Sequence, residues 1–102
     1  MRMHLGGEWV DKPHKIEVLS PYDGSVVDTV PKGDANDVEK ALETAVHGAK
    51  IIAEMTGYER YEILHKVSEL MVERSEELAR IITMEEGKIL AEGRIEATRA
   101  AE

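Results

Sequence analysis

The spacing of apolar residues along the chain changes near residue 31, and this change predicts strands first and helices afterwards. Before this point, short apolar runs alternate with turn residues, which is typical of strands. Three runs fit strands: Leu5–Val10, Ile16–Leu19 and Val26–Val30. The turn residues at 11–14 separate the first two runs, so we predict that these two strands pair as a hairpin. Asp23–Gly24 then marks a second turn before the third strand.

After Pro31, apolar residues recur every three or four positions, as they do in amphipathic helices. Asp34 can cap a first helix, and Asp37 adds negative charge near its N-terminus. Thr56–Gly57 ends this helix, and a second helix is predicted from about Tyr58 to Met84, with Gly87 as its C-cap. The first apolar face contains Val38, Ala41, Leu42, Ala45, Val46, Ala49, Ile52 and Ala53. The second contains Ile63, Leu64, Val67, Leu70, Met71, Leu78, Ile81 and Ile82.

A third helix is predicted from Ile89 to Glu102, and no Gly, Asn or Pro follows to end it. We therefore expect these 102 residues to be the front part of a longer protein. Three short strands also make a poor sheet by themselves. The predicted fold class is α+β, with a β-hairpin and third strand in residues 1–31 and a helical segment in residues 32–102.

The composition excludes several kinds of function. A net charge of −8 disfavours binding to nucleic acids, because acidic groups repel phosphates. The chain has no cysteine, so it contains no disulfide, thiolate metal ligand or thiol nucleophile. No apolar run approaches the length of a membrane span or a signal peptide, and we expect a cytoplasmic location. Without Phe, the core must come from aliphatic residues and Ala, and it would gain from further layers.

The side chains that could carry chemistry do not form a recognisable site. His4, His14, His47 and His65 are not spaced as metal ligands on one helix, so packing or surface positions are favoured. The acidic pairs Glu76–Glu77 and Glu85–Glu86 fit a solvated helix face better than an acid–base pair. Gly87–Lys88 is not a phosphate-binding loop, because the required earlier Gly and following Ser or Thr are replaced by Ile. We assign no catalytic, cofactor-binding or metal-binding residue.

The order of turns and helices nevertheless resembles the N-terminal segment of the aldehyde dehydrogenase superfamily. Six stretches carry the resemblance: Gly7–Val10, Ser20–Val27 with Val30–Pro31, Asp37–Ala41, Glu59–Leu64, Glu77–Lys88 and Arg94–Ala100. Each stretch is weak alone, but their order and spacing are specific. Ser20 and Met55 depart from the common Asn and Trp. A Met at position 55 resembles the sequence pattern of one branch of the family, the lactaldehyde and non-phosphorylating glyceraldehyde-3-phosphate dehydrogenases.

The resemblance implies a parent enzyme that oxidises an aldehyde to a carboxylic acid with NAD or NADP. In this family a cysteine thiolate attacks the aldehyde and a glutamate activates water, and both lie downstream of this segment. The resemblance implies that residues 32–102 cover the cofactor-binding domain, that the catalytic domain is absent, and that the chain alone binds no cofactor and is inactive. It also implies backbone-permissive turns at Gly24 and Gly87, and structural ion pairs at Arg60 and Lys88.

Two hypotheses from different classes follow. The first is an N-terminal fragment of an aldehyde dehydrogenase, whose partner is the remainder of the enzyme. The alternative is a non-enzymatic helical module that self-associates through its amphipathic helices. A small metal-dependent or hydrolytic enzyme has no supporting constellation. Under the first hypothesis the apolar helix faces lack their cover, so self-association is also expected.

Overall fold

The computed structural model describes all residues from Met1 to Glu102 and contains four strands followed by four helices. The strands are β1 (Met3–Leu5), β2 (Glu8–Val10), β3 (Lys15–Leu19) and β4 (Val26–Pro31). The helices are α1 (Ala35–Glu54), α2 (Gly57–Glu73), α3 (Ser75–Glu86) and α4 (Leu90–Ala100). The mixed α+β class is confirmed, but the chain has one strand and one helix more than predicted.

The predicted pairing of the first two strands is wrong. The run Leu5–Val10 does not form one strand, because Gly6 and Gly7 have φ values of 60° and 89° and turn the chain back on itself. Positive φ at two central residues is typical of a tight type I′ hairpin turn. Strands β1 and β2 therefore pair with each other in antiparallel fashion, with His4 opposite Trp9.

Strands β3 and β4 form a second two-stranded sheet, so the second and third predicted strands are the ones that pair. Their turn is closed by the Gly24 amide, which donates to the Ser20 carbonyl at 2.8 Å. Gly24 has a φ of 73°, as expected for a backbone-permissive turn residue. The Ser25 hydroxyl and amide both donate to Asp23, and these bonds lower the pKa of that carboxyl.

The structure divides into two compact units. Unit 1 comprises residues 1–18 and 28–55, and contains the β1–β2 hairpin and α1. Unit 2 comprises residues 19–27 and 56–102, and contains α2, α3 and α4. In unit 1 the hairpin packs against α1, where Leu5 is buried and Gly6 lies close to Thr44. Helix α1 itself contains no buried residue.

Helix α1 begins where the sequence predicts. Asp34 accepts hydrogen bonds from the amides of Asn36 and Asp37, and the Asp37 carboxylate accepts from the Asp34 amide at 2.8 Å. Asp37 therefore does more than add charge, because it completes a capping box. The Lys12 ammonium lies 2.8 Å from Asp37 and 3.3 Å from Asp34, and ties the loop after β2 to this helix end.

The helix predicted from Tyr58 to Met84 is two helices, interrupted at Arg74. Arg74 has a φ of −103° and a ψ of 16°, outside the helical range, and it lies in a stretch without apolar residues between Val72 and Leu78. Glu76 and Glu77 then favour a new helix N-terminus through the helix dipole. The predicted C-cap at Gly87 is confirmed, with a φ of 73° and an amide that donates to Thr83.

The best-packed part of unit 2 lies between α3 and α4. Ala79 is 0% exposed and Ala97 is 2% exposed, and Gly93 is also buried. A Cβ atom on Gly93 would lie only 2.7 Å from the Ala79 carbonyl oxygen, so the two helices are in backbone contact here. The Ser68 hydroxyl donates to the Ala101 carbonyl and attaches α2 to the end of α4.

Candidate functional site

Two of the four histidines make ring contacts, and His4 and His47 line one cleft beside α1. His4 meets Trp9 edge to face at 5.3 Å, and His65 stacks on Tyr61 at 5.3 Å with Glu69 at 3.8 Å. His47 lies on α1 and His14 precedes β3. The structure brings no three His, Cys, Asp or Glu side chains together in an arrangement that could hold a metal ion.

The carboxylates singled out in the sequence serve ion pairs on the helix surfaces. Glu76 binds Arg94 through two hydrogen bonds of 2.8 and 3.0 Å, and lies 3.1 Å from Arg80. Arg94 is the main reason that the pKa of Glu76 is lowered. A general acid at neutral pH needs a raised pKa, so Glu76 is unsuited to that role. On α2, Lys66 forms a similar surface ion pair with Glu69.

Lys88 is a structural ion-pair residue, as the resemblance implies. Its ammonium lies 2.7 Å from Glu86 and 2.6 Å from Glu96, and so connects the loop before α4 to that helix. Glu86 is the first cause of a raised Lys88 pKa, and Glu96 is the second. The ion pair expected at Arg60 stays a prediction.

A cleft of about 740 Å³ in unit 1 concentrates positive charge. Its lining residues are Lys12, Pro13, His14, Lys15, Lys32, Gly33 and Asp34. Two of its three lysines are already neutralised, since Lys12 binds Asp34 and Asp37 and Lys15 binds Asp11. The ion pairs of Lys12 therefore hold the loop after β2 against the start of α1. This role of Lys12 cannot be read from the sequence pattern, because its partners are distant in sequence.

A second cleft, of about 460 Å³, lies between the β1–β2 hairpin and α1. Its lining is mainly small and apolar, with His4, Thr44 and His47 as polar members. The Thr44 hydroxyl donates to the Lys40 carbonyl at 2.8 Å, so it is occupied within its own helix. The Thr44 hydroxyl donates only to backbone carbonyls of its own helix and not to His4 or His47, so the cleft contains no nucleophile paired with a base.

The main functional feature is the exposed apolar surface of α1, which we call the α1 face. We define it by six residues: Val38, Leu42, Ala45, Val46, Ala49 and Ala53. Its three large side chains are 55–61% exposed, namely Leu42 at 55%, Val38 at 56% and Val46 at 61%. A wide apolar stripe on a helix is normally packed against a core. The α1 face therefore has the chemistry of a buried surface but no cover in this chain.

Helix α2 presents a similar exposed surface in unit 2. Ile63, Leu64 and Val67 are all exposed, although Ser68 and Met71 on the same helix are partly buried. Contiguous apolar patches of this kind mark interaction surfaces in folded proteins. Each unit thus contains one helix whose apolar side is only partly packed against the rest of that unit. No helix of the chain is both long enough and apolar enough to cross a membrane.

Comparison with known proteins places this chain within one family. The model of the "Aldehyde dehydrogenase family" matches residues 9–102. Glutarate-semialdehyde dehydrogenase of Pseudomonas putida is 37% identical over 100 residues, which cover 96% of this chain and 21% of that protein. Malonate-semialdehyde dehydrogenase 2 of Oceanobacillus iheyensis is 38% identical over 104 residues, covering 100% and 21%.

Solved structures agree with this match. Aldehyde dehydrogenase 21 from Physcomitrella patens, solved with the reaction product succinate, superposes with a TM-score of 0.94 at 34% identity. Succinate-semialdehyde dehydrogenase from Burkholderia pseudomallei gives a TM-score of 0.92 at 35% identity. Both comparisons cover 98% of this chain and 21% of the other. The chain spans about a fifth of the length of the relatives it matches.

Proposed function

The chain belongs to the aldehyde dehydrogenase family, and from this premise we propose that it is the N-terminal segment of an enzyme that oxidises an aldehyde to a carboxylic acid with NAD or NADP. The observation that carries the proposal is the exposed α1 face, which the remainder of the enzyme would cover. The segment supplies structure, and it is inactive and binds no cofactor alone. A cytoplasmic location and assembly into an oligomer stay part of this proposal.

The width of the α1 face supports a cover from a larger fold. The α1 face continues into the adjacent Ala41. Ala41 and Val46 lie on either side of a central stripe, at positions where paired helices usually carry charges. That stripe consists of Val38, Leu42, Ala45 and Ala49. Apolar flanks are instead typical of a helix that lies on a broad core. A cover of this kind also explains why a 20-residue helix has no buried residue in this chain.

The chemistry of the family supports the inactivity of the chain alone. A thioester route needs a cysteine thiolate to attack the aldehyde carbonyl, and this chain contains no cysteine. NAD or NADP would be held by the remainder of the enzyme. Relatives include one solved with NAP and one solved with NAD+, which supports a nicotinamide cofactor for the parent.

The substrate of the parent belongs to the same proposal. Similar relatives are named for glutarate semialdehyde, malonate semialdehyde and 3-sulfolactaldehyde. Lactaldehyde and glyceraldehyde-3-phosphate stay as predictions from the sequence resemblance. A panel of these five aldehydes, assayed with the complete enzyme and either cofactor, would identify the preferred class.

A chimera tests the proposed function. This chain would replace the matching 100 residues of the Pseudomonas putida relative, and aldehyde-dependent formation of NAD(P)H would be measured. We expect activity from the chimera and none from the 102-residue chain alone. In the chimera, Leu42→Lys should abolish activity, because it introduces a charge into a covered face.

Glu43→Lys provides the matched control, since Glu43 lies next to Leu42 but outside the α1 face. It should leave the activity of the chimera nearly unchanged. Turnover by the chain alone would contradict its inactivity. Equal activity of the Leu42→Lys and Glu43→Lys chimeras would show that the α1 face is not covered in the enzyme.

A further inference from the structure

The turn between β3 and β4 contains a dipeptide that is prone to chemical rearrangement, Asp23 followed by Gly24. It is the only Asp–Gly pair in the sequence. In such a pair the backbone nitrogen of the glycine can attack the carboxyl carbon of the aspartate, because no Cβ atom shields the approach. Both residues are exposed, so water can reach them.

The rearrangement of Asp23 needs no reagent other than water. The Gly24 nitrogen loses its proton and forms a bond to Cγ of Asp23, and the carboxyl OH leaves with that proton as water. The product is a five-membered succinimide ring. A second water molecule opens the ring at either carbonyl carbon, which restores Asp23 or leaves an isoaspartyl residue. One water molecule leaves and one is added, so the net reaction is an isomerisation.

The turn holds the Asp23 carboxylate in an unreactive form. Its Oδ1 atom accepts hydrogen bonds from the Ser25 hydroxyl at 2.7 Å and from the Ser25 amide at 3.0 Å. These two bonds are the first causes of the lowered pKa of Asp23. Ring closure requires the neutral carboxyl, because an ionised oxygen is a very poor leaving group. The two donors of Ser25 therefore fix the carboxylate in place and also keep it ionised.

The attacking nitrogen is held by the backbone of the same turn. The Gly24 N–H donates to the Ser20 carbonyl at 2.8 Å, and this bond has to break before the nitrogen can lose its proton. The Ser20 amide also donates to the Ser25 carbonyl at 2.8 Å. These two bonds need no side chain, so the backbone of the turn should persist when the Ser25 hydroxyl is removed.

We propose that Asp23–Gly24 is a site of isoaspartate formation that the folded turn keeps closed, and that the Ser25 hydroxyl is the side-chain group that holds it closed. An isoaspartyl residue would place one additional carbon atom in the backbone at position 23. The lengthened backbone would no longer fit the two short bonds between Ser20 and the Gly24–Ser25 pair. The inference is independent of the proposed function, because it concerns the residues of this turn alone.

Rates of isoaspartate formation at position 23 test the proposal. They would be measured by peptide mapping with electron-transfer mass spectrometry after prolonged incubation of the 102-residue chain near neutral pH. Ser25→Ala should raise the rate about tenfold, which is the scale expected from losing a hydrogen bond to a charged oxygen. Ser25→Thr is the matched control, since it keeps the hydroxyl and should react at the wild-type rate. The wild type unfolded in guanidinium chloride should react at least as fast as folded Ser25→Ala.

Two internal references assign the signal. Adding Asp23→Glu to Ser25→Ala should abolish the signal, because a glutamate would have to close a six-membered ring. Asp28 reports on general loosening of the fold, and its rate should be the same in every folded variant. The proposal is overturned if Ser25→Ala reacts no faster than the wild type, or if the folded and unfolded wild type react equally fast. A rise at Asp28 as large as that at Asp23 would also overturn it.

Discussion

Gly93 is the residue where a single added methyl group should have the largest effect on unit 2. A Cβ atom there would lie 2.7 Å from the Ala79 carbonyl oxygen and 3.2 Å from the Thr83 hydroxyl. The first contact is with backbone, which cannot rotate away. Gly93→Ala therefore has to push α4 away from α3, at the place where Ala79 and Ala97 are most completely buried.

The magnitude follows from two opposing effects. Replacing Gly by Ala inside a helix gains about 1 kcal/mol from helix propensity. Overpacking a tight contact costs about 1–3 kcal/mol, and a rigid backbone neighbour places this contact toward the upper end. We expect Gly93→Ala to lower the free energy of unfolding of unit 2 by about 1–2 kcal/mol. A loss of 1 kcal/mol corresponds to roughly 4–8 °C in the melting temperature of a domain of this size.

Gly48→Ala is the matched control because Gly48 also lies inside a helix and a Cβ there would meet no atom within 4 Å. This change should raise the stability of unit 1 by up to about 1 kcal/mol through propensity alone. Thermal and urea unfolding would be followed by far-ultraviolet circular dichroism for both variants, with the fluorescence of Trp9 reporting on unit 1. If Gly93→Ala stabilised the protein as much as Gly48→Ala, the proposed backbone contact between α3 and α4 would be refuted.

Three further predictions concern single side chains. Thr83→Val should leave stability equal or raise it by about 1 kcal/mol in urea unfolding, because the buried Thr83 hydroxyl has no hydrogen-bond partner. Thr56→Ala should cost about 1 kcal/mol in the same assay, because it removes the capping box with Glu59. The pKa of Asp37 is lowered from 3.8, first by Lys12 and then by the Asp34 amide, so its stabilising effect is complete above pH 3.8 and is lost as the pH falls through its lowered pKa. Asp37→Asn should therefore weaken the dependence of α1 helicity on pH below 3.8 in a circular dichroism titration.

The sequence predicts the helices of this chain better than its strands, for a physical reason. Helix starts and ends depend on neighbouring residues, so Asp34 and Gly87 could be identified as caps directly. Strand pairing depends on where the chain makes its tight turns. The two positive φ values at Gly6 and Gly7 create a hairpin inside a run that has the apolar content of one strand.

The break at Arg74 shows a second limit of sequence patterns. Helical periodicity continues in phase from α2 into α3, so the apolar residues alone favour one long helix. The interruption is a single residue, Arg74, inside the polar stretch between Val72 and Leu78, where the periodicity of apolar residues gives no signal. The ion pair between Lys12 and Asp37 could not be predicted either, because only the fold brings these two residues together.

The distribution of burial connects the fold of this chain to its function. The buried residues are Leu5, Pro31, Ala79, Gly93, Ala97 and Ala101, and no large side chain is fully buried. A chain that folds independently obtains most of its stability from burying such side chains. Here the large side chains of α1 and α2 stay exposed, while capping boxes, ion pairs and small-residue contacts define the local structure. Capping boxes and ion pairs of this kind fix the helices so that their apolar faces are available for packing. Burial of these faces contributes to stability only when another surface covers them.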